Sequence, residues 1–321
     1  MTKMIELLLQ YIDYEENIIS NGNAYKRHYY HIRKLNEYLM VKKWRDYKIE
    51  EIQLSDIIDF LAKYKVSKIK FWPNIWKYPS KNSQYNLIVS CRMFFKYLIL
   101  IGERLSFNWE QIPISKMEDV IRPPMSKADY ELLLQAPVIY NDPDRKDIIL
   151  RDQLLFEIPW ETGLRRSEVI RCKFADFHND NRQFKILVKW WRYENVFFSK
   201  KLQEKVLKYE ELVRNKYRWH ENIEYLFFYM GQKDKGKKIS SQVAWIIFSK
   251  YVNKLKKSWL IPEDKKLCMH MERHSFAMKC VYSGLSQQAT TALMRHKDPR
   301  ITLRYYHMND EWLLNQYDSI K

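Results

Sequence analysis

The sequence predicts a mostly helical protein with a small β component, an α+β fold. Three observations carry this prediction. The chain has 321 residues, 46% of them hydrophobic, which is enough for the cores of two ordinary domains. It holds only 6 glycines and 10 prolines, too few for a loop-rich all-β protein. Apolar residues recur at helical spacing along most of the chain, and one pair of β-type runs interrupts them.

Residues 1–110 are expected to form a small helical bundle. Ser55 and Asp56 are expected to open one short helix, ahead of Ile57. The apolar residues at helical spacing are Ile5, Leu8, Leu9 and Ile12, then Leu35, Tyr38 and Leu39, then Ile88, Met93, Phe94 and Leu98.

A basic stretch lies inside this first domain, since no acidic residue occurs between Phe60 and Gly102. Aromatic residues are interleaved with its cations, among them Trp72 and Trp76. Lysines neutralise phosphates and aromatic faces pack on sugars or bases, so the stretch is a candidate DNA-facing surface. The alternative is a solvated basic face with core aromatics. The candidate DNA-binding residues are Lys63, Lys65, Lys68, Lys70, Lys77, Lys81 and Arg92.

Residues 111–125 are expected to be an interdomain linker, because Pro113, Pro123 and Pro124 break helices. The second domain is then 126–321. Its helices are expected to begin at Ser126, to include Leu154–Ile158, and to resume around 243–255, 276–281 and 287–294. Two β-type runs, 184–189 and 195–198, predict a hairpin. An apolar stripe of Trp312, Leu313, Leu314 and Tyr317 predicts a C-terminal helix over 309–321.

The net charge of +17 indicates a polyanionic partner. Nucleic acid is the first candidate and an anionic membrane surface the second. No run of about 18 apolar residues exists, so no transmembrane helix is expected, and the N-terminus has no cleavable signal pattern. The cysteines Cys91, Cys172, Cys268 and Cys280 lack metal-type spacing and are expected to be buried thiols in a reducing, cytosolic setting.

Two sequence blocks, 162–168 and 270–307, carry residues suited to attack on a phosphodiester. The transition state concentrates charge on the nonbridging oxygens, which need cationic hydrogen-bond donors. The nucleophile must be positioned and deprotonated, and the departing alkoxide needs a proton. The candidates are Arg165 and Arg273 for the oxygens, Tyr305 as nucleophile, Lys189 as proton donor, and His270 and His296 for proton relay or hydrogen bonding.

Each of these residues alone has an ordinary explanation. Arg165 could simply form an ion pair with Glu168, and Tyr305 could be a core residue. His270 and His274 are four residues apart and could bind a metal, but no HExxH motif or cysteine pair supports this, so neither a metal nor another cofactor is expected. The shared order and spacing of the whole set argue against coincidence.

The order and spacing resemble the tyrosine recombinases and integrases, the group of Xer, phage integrase and Cre. Residues 162–168, Thr-Gly-Leu-Arg-Arg-Ser-Glu, resemble the family's T-G-L-R-x-S-E box, which places the first catalytic arginine at Arg165. Residues 270–277 resemble its H-x-L-R-H-S-F-A box, with Glu272 in place of leucine. His296 precedes Tyr305 by nine residues, and 305–307 complete the family's Y-x-H.

The resemblance implies a helical core-binding domain and a mixed α/β catalytic domain that form a C-shaped clamp on double-stranded DNA. It implies cleavage and rejoining through a 3′-phosphotyrosine intermediate without metal or ATP, by four protomers that associate through the C-terminal helix in the synapse. Glu168 is expected to support Arg165. The setting is expected to be cytoplasmic and nucleoid-associated, without membrane contact.

Two questions stay open at this point. The family's lysine lies in a hairpin that often contains glycine, but 189–194 has none, so Lys185, Arg192 and Lys200 compete with Lys189. The biological role is also open. A transposase with relaxed target choice, a type IB topoisomerase-like enzyme and an inactive DNA-binding clamp are the alternatives to a site-specific recombinase or integrase.

Overall fold

The structure is a computed structural model. It describes residues 3–18, 24–43, 47–64, 66–69, 72–114, 116, 123–188, 192–217, 223–231 and 235–307, with residues 66–69, 72–77 and 307 by backbone alone. The chain divides into two compact units, Met1–Ile121 and Arg122–Lys321, and the division falls inside the stretch 111–125. The predicted C-terminal helix over 309–321, with Trp312, Leu313, Leu314 and Tyr317, lies outside the described residues.

The first unit is a helical bundle with a core of apolar side chains. Leu8 is buried, together with Met4 and Tyr11, whereas Leu9 is 46% exposed. The helical period of the first helix was thus predicted correctly, but its buried face lies closer to Met4 and Tyr11 than to Leu9. The helices are α1 (Lys3–Asn17), α2 (Ala24–Lys43), α3 (Leu54–Lys63) and α4 (Lys81–Leu100), with short 3-10 turns at Ile49–Glu51 and Trp109–Gln111.

A β-hairpin that the sequence did not predict lies between α3 and α4. Strand β1 (Val66–Ile69) pairs antiparallel with β2 (Trp72–Lys77), with an irregularity between Ser67 and Ile69. Pro73 lies in β2, and proline in a strand normally argues against that assignment, because it lacks the N–H that a ladder needs. The sequence analysis predicted a helical bundle over residues 1–110 and did not foresee this hairpin within it.

The structure describes three side chains of the predicted basic surface. Lys63 ends α3 as an exposed residue and forms an ion pair with Asp59 at 2.9 Å, and Lys81 begins α4. Arg92 donates to the Glu110 carbonyl at 2.9 Å, and its guanidinium lies 5.1 Å from the centroid of the Trp109 ring. Arg92 therefore makes contacts within its own bundle. The side chains of Lys65, Lys68, Lys70 and Lys77 lie outside the described part of the chain.

The second unit is also mostly helical. The predicted start at Ser126 is found, since its Oγ caps the helix by accepting from the Asp129 N–H at 3.1 Å. The helices are α5 (Lys127–Tyr140), α6 (Lys146–Thr162), α7 (Arg166–Val169), α8 (Lys200–Lys216), α9 (Ser241–Lys257), α10 (Met269–Tyr282), α11 (Gln287–Met294) and α12 (Pro299–His307), with a 3-10 turn at Phe174–Phe177.

The predicted hairpin of this unit is present as β3 (Gln183–Val188) and β4 (Arg192–Phe197). The strands pair antiparallel from Gln183 opposite Phe197 to Val188 opposite Arg192. The prediction of a mostly helical fold with a small β component is confirmed.

Helix α6 runs through the main core of the second unit. Its Phe156 packs edge-on against both Phe248 and Tyr251 of α9. A smaller apolar cluster joins α10, α11 and α12, and it consists of Ala277, Met278, Val281, Met294, Tyr305 and Tyr306. This smaller cluster fixes α12 against α10, and so determines where Tyr305 lies.

Among the described residues, no helix is both long and apolar enough to cross a membrane. All four cysteines are free thiols. Three of them are buried as predicted, and Cys268 is half-buried.

Candidate active site

A sharp turn after α6 presents Arg165. Helix α6 ends at Thr162 and is followed by Gly163, which adopts the left-handed conformation with φ of +64°. Glycine has no side-chain penalty there. A Cβ at this position would also lie 2.5 Å from the Phe276 ring of α10 and 3.2 Å from the sulfur of Met294. The turn therefore needs glycine both for its backbone angle and for its close approach to α10.

Arg165 is held in place by Glu168. The backbone N–H of Arg165 donates to Glu168 Oε2 at 2.8 Å, and its Nη1 donates to Oε1 at 2.9 Å. Burial alone would raise the pKa of Glu168, but the hydrogen bonds and positive charge of Arg165 outweigh it, so the pKa lies below its ordinary value. The side chain of Arg165 is 31% exposed, which leaves part of it available to a ligand.

Arg273 lies deeper, on α10, and connects two backbone segments. Its Nη1 donates to the Gly163 carbonyl and its Nη2 to the Met294 carbonyl. Its Nη1 also lies 4.0 Å from Glu168 Oε2. Burial, followed by repulsion from Arg165, lowers the pKa of Arg273 to about 9. At neutral pH it remains a cation that can stabilise negative charge nearby.

A third arginine, Arg295, was missed by the sequence analysis. It follows α11 at φ of +54°, a conformation that residues other than glycine seldom adopt. Its Nη1 donates to the Leu293 carbonyl at 2.7 Å and its Nη2 to the Thr162 carbonyl at 3.0 Å. Its buried Nε has no partner among the described residues. Burial and repulsion from Arg165, partly offset by Glu168, lower its pKa to about 10. The sequence feature that could have indicated its place in the site is its position directly before the predicted site residue His296.

Tyr305 lies on α12 with its hydroxyl inside the unit. The hydroxyl oxygen lies 2.5 Å from Nδ1 of His274, a residue of α10 to which the sequence analysis assigned no role in DNA cleavage. Burial raises the pKa of Tyr305, while the charges of Arg273, Arg304 and Arg165 act in the opposite direction. Tyr305 therefore lies in the electrostatic field of both predicted phosphate-binding arginines.

The two predicted histidines differ in their surroundings. His270 is exposed on α10, and its ring lies edge-on to that of His274 with centroids 4.7 Å apart. His296 is buried, and its Nδ1 lies 2.8 Å from Thr302 Oγ1. Burial, followed by the charges of Arg273, Arg165 and Arg295, lowers the pKa of His296 to about 3. At neutral pH the ring of His296 is an uncharged hydrogen-bonding group.

The hairpin that carries the predicted lysine lies beside this cluster. Glu194 of β4 shares a cleft of about 410 Å³ with Arg295, His296 and residues of α11. Lys189 lies outside the described residues, as do Trp190 and Trp191. Of its competitors, Lys185 is exposed on β3, Lys200 is exposed at the start of α8, and Arg192 forms an ion pair with Glu194 at 2.5 Å.

The described site therefore combines cationic hydrogen-bond donors, imidazoles and a tyrosine hydroxyl. This combination can bind the oxygens of a phosphodiester and supply an oxygen nucleophile. Among the described residues, no group of three or more His, Cys, Asp or Glu side chains could hold a metal ion.

The model of the phage integrase family matches residues 125–311, more than half of the chain. The chain belongs to that family, and the fold and the family together define its class, a tyrosine-type DNA strand transferase.

The similarity to individual relatives extends beyond the matched region. The chain is 25% identical to the tyrosine recombinase XerD of Listeria monocytogenes over 318 residues, which cover 99% of this chain and 98% of the relative. It is 26% identical to a probable integrase/recombinase protein of Methanocaldococcus jannaschii over 264 residues, 81% of this chain and 74% of the relative.

Solved structures show the same fold. The integrase of the transposon Tn1549, in complex with transposon right end DNA, matches with a TM-score of 0.66 and 16% identity over 100% of this chain and 99% of the other. The XerH site-specific recombinase bound to its difH substrate, in a pre-cleavage complex, matches with a TM-score of 0.67 and 17% identity. The match covers 99% of this chain and 95% of the other.

Proposed function

We propose that this protein is a site-specific DNA recombinase or integrase that cuts and rejoins duplex DNA through a 3′-phosphotyrosine at Tyr305. The observation that carries the proposal is the convergence of Tyr305, Arg273 and Arg165 in one site. Both guanidinium charges act on the tyrosine hydroxyl, and both arginines contact Glu168. A phosphate placed against these arginines would be within reach of the tyrosine.

Each predicted catalytic residue has a role in this reaction. Arg165 and Arg273 hold the nonbridging oxygens of the scissile phosphate and stabilise the added charge of the transition state. Neutral His296 donates a hydrogen bond to an oxygen of the same phosphate, and exposed His270 assists at the edge of the site. Lys189 protonates the leaving 5′-oxygen. No step needs a metal or ATP.

Glu168 orients Arg165 and offsets its charge. Because its two oxygens bind the backbone and the side chain of the same residue, it fixes both the turn and the guanidinium. The role is comparable to that of groups that orient the ligands of a metal.

The DNA would be held by both parts of the chain. Residues 1–110 act as a core-binding domain, 111–125 as a linker and 126–321 as the catalytic domain, and each of the two domains binds the duplex. The net charge of +17 supports binding to a polyanion. The basic residues from Lys63 to Arg92 are proposed to face the DNA backbone, and the nucleoid would be the site of action.

The proposed assembly is a tetramer on two DNA duplexes, joined through the C-terminal helix over 309–321. The similarity to the tyrosine recombinase XerD over 98% of that relative's length favours a recombinase. The fold shared with the integrase of a transposon keeps transposition as the second candidate.

A covalent trapping assay tests the proposal. The substrate is a pool of nicked duplexes with randomised sequence, in which cleavage next to the nick releases a short fragment and prevents rejoining. The wild-type protein is expected to form adducts that survive denaturation, and Tyr305→Phe is expected to form none. Tyr306→Phe is the matched control and should retain the adduct. Adducts in Tyr305→Phe that disappear in Tyr306→Phe would overturn the choice of nucleophile.

Sequencing of the trapped and rejoined products separates the alternatives. A single recurring core sequence with exchanged strands indicates a site-specific recombinase, and varied target sequences indicate a transposase. Relaxation of supercoiled DNA without strand exchange would indicate a topoisomerase. Binding without any adduct would indicate an inactive clamp.

A further inference from the structure

The tyrosine hydroxyl of the site has a histidine contact that the sequence did not predict. Nδ1 of His274 lies 2.5 Å from Tyr305 Oη, and the ring centroids are 5.7 Å apart. The two residues are 31 positions apart and meet because α10 and α12 pack through the same small apolar cluster. A base within hydrogen-bond reach of a hydroxyl nucleophile is the usual arrangement for activating it.

The other histidines of the site are placed less well for this task. Nδ1 of His296 is directed to Thr302 Oγ1. His270 is exposed and meets the His274 ring edge-on. His274 is therefore the imidazole with a described hydrogen bond to the nucleophile.

Tyr305 needs assistance to lose its proton. Burial stabilises the neutral phenol and raises the pKa of Tyr305. The positive charges of Arg273, Arg304 and Arg165 favour the phenolate, but do not reverse the shift. A neighbouring acceptor for the proton would lower the barrier as the phenol oxygen begins to bond to phosphorus.

We propose that His274 is the general base that deprotonates Tyr305. The inference rests on the proposed function, since it presumes attack of Tyr305 on a phosphodiester. In the forward step a bond forms between Tyr305 Oη and phosphorus while the bond from phosphorus to the 5′-oxygen breaks. The phenol proton moves to Nδ1 of His274, and the departing 5′-oxygen takes a proton from the lysine ammonium.

Rejoining reverses each transfer. The incoming 5′-hydroxyl gives its proton to the lysine amine as its oxygen bonds to phosphorus. The bond from phosphorus to Tyr305 Oη breaks, and the imidazolium of His274 returns its proton to the phenolate. In this scheme His274 must begin each cycle with Nδ1 unprotonated and its proton on Nε2.

The test changes the acidity of the nucleophile. Single-turnover rates of adduct formation are measured on the selected nicked substrate for the wild type and for His274→Asn. The variant is expected to be slower by about 10²- to 10⁴-fold, the usual range for a general base. A fluorinated tyrosine at position 305, whose phenol is more acidic, should restore His274→Asn to within about tenfold of the wild type carrying the same tyrosine, because such a phenol depends less on a base.

His270→Asn is the matched control, since it makes the same change one helical turn away. Its deficit should not be corrected by the fluorinated tyrosine. A purely structural role of His274 would give equal deficits with either tyrosine and would overturn the inference, as would an unimpaired His274→Asn.

A second variant keeps the test decisive if His274→Asn folds poorly. His274→Gln supplies an amide that can hydrogen-bond to the hydroxyl without taking its proton, and it should show the same rescue. Absence of a Tyr305 adduct in the wild type would refute the proposed function itself and the inference with it. Wild-type adduct without rescue would refute only the role of His274.

Discussion

Arg165 and Glu168 are joined by two hydrogen bonds, one from the backbone N–H at 2.8 Å and one from the guanidinium at 2.9 Å. Glu168 is buried, and the pair lies at the centre of the cationic cluster. The carboxylate is therefore both the anchor of the turn and a counter-charge for Arg165 and Arg273.

Replacing Glu168 with Gln should weaken the fold and the site together. We expect the free energy of unfolding to fall by about 1–3 kcal/mol, because the buried arginines lose their counter-charge and one hydrogen bond is lost. The pKa of Glu168 is lowered in the folded protein, so its contribution is present above pH 4.5 and is lost as the pH falls below it. Denaturant titration at several pH values should show that the difference between wild type and variant shrinks with acid; an unchanged difference would contradict this.

Gly163→Ala should disrupt the turn that presents Arg165. The left-handed backbone alone costs about 1–2 kcal/mol for a residue other than glycine, and the new Cβ would lie 2.5 Å from Phe276. Gly284→Ala is the matched control, since its φ is +73° and a Cβ there would meet nothing within 4 Å. Thermal melting should show a larger loss for Gly163→Ala, and only that variant should lose adduct formation. Equal losses of thermal stability in the two variants would argue against a close approach of Gly163 to Phe276.

Glu272→Leu should stabilise the protein. Glu272 is fully buried, and neither carboxylate oxygen has a hydrogen-bond partner among the described residues. We expect a gain of about 1–3 kcal/mol, the cost of burying an unpaired polar group. Burial raises the pKa of Glu272 above 4.5, so the folded state binds more protons and the wild type loses stability as the pH rises from that value. The gain in the free energy of unfolding of Glu272→Leu over the wild type should therefore grow as the pH rises above 4.5, as denaturant titration can show. A variant less stable than the wild type at neutral pH would refute this.

His296 should stay neutral throughout the pH range of the reaction. Its pKa is lowered to about 3 in the folded protein, from an ordinary value of 6.5. The unfolded chain therefore binds more protons between these values, and stability should fall with decreasing pH by up to about 1.4 kcal/mol per pH unit. An NMR titration should show no protonation of His296 between pH 5 and 8, whereas a midpoint near 6.5 would contradict the burial.

Arg295 should act by holding Arg165 and His296 in position. Its two hydrogen bonds join the carbonyl of Thr162 to that of Leu293 across the site. Arg295→Met should lower adduct formation by about 10- to 100-fold, as is typical for residues that orient others. Arg295→Lys keeps the positive charge but lacks the planar guanidinium that donates to two carbonyls at once, so it should be little more active than Arg295→Met. Full activity of the lysine variant would mean that charge alone matters.

The sequence predicted the candidate site best, because the residue types at that site suit phosphodiester chemistry and occur in a fixed order. The order of Arg165, Arg273, His296 and Tyr305 predicted a single site, and the structure brings these residues into one unit. The helical periods predicted most of the helices, because an apolar stripe must face a core.

Other features depend on packing that no local pattern encodes. The contact of His274 with Tyr305 joins residues 31 positions apart and exists only because α10 and α12 share a cluster. Arg295 was missed because an isolated arginine is usually a surface residue. The hairpin of β1 and β2 was missed because its strands are short and one contains Pro73.

The most direct test of the central claim is to identify the amino acid that carries the DNA. The trapped adduct is digested with nuclease and protease, and the modified peptide is sequenced by mass spectrometry. The proposed mechanism predicts a nucleotide joined through its 3′-phosphate to Tyr305, with a free 5′-hydroxyl on the released fragment. A nucleotide on Tyr306 or on any other residue, or a 5′-phosphate linkage, would contradict it.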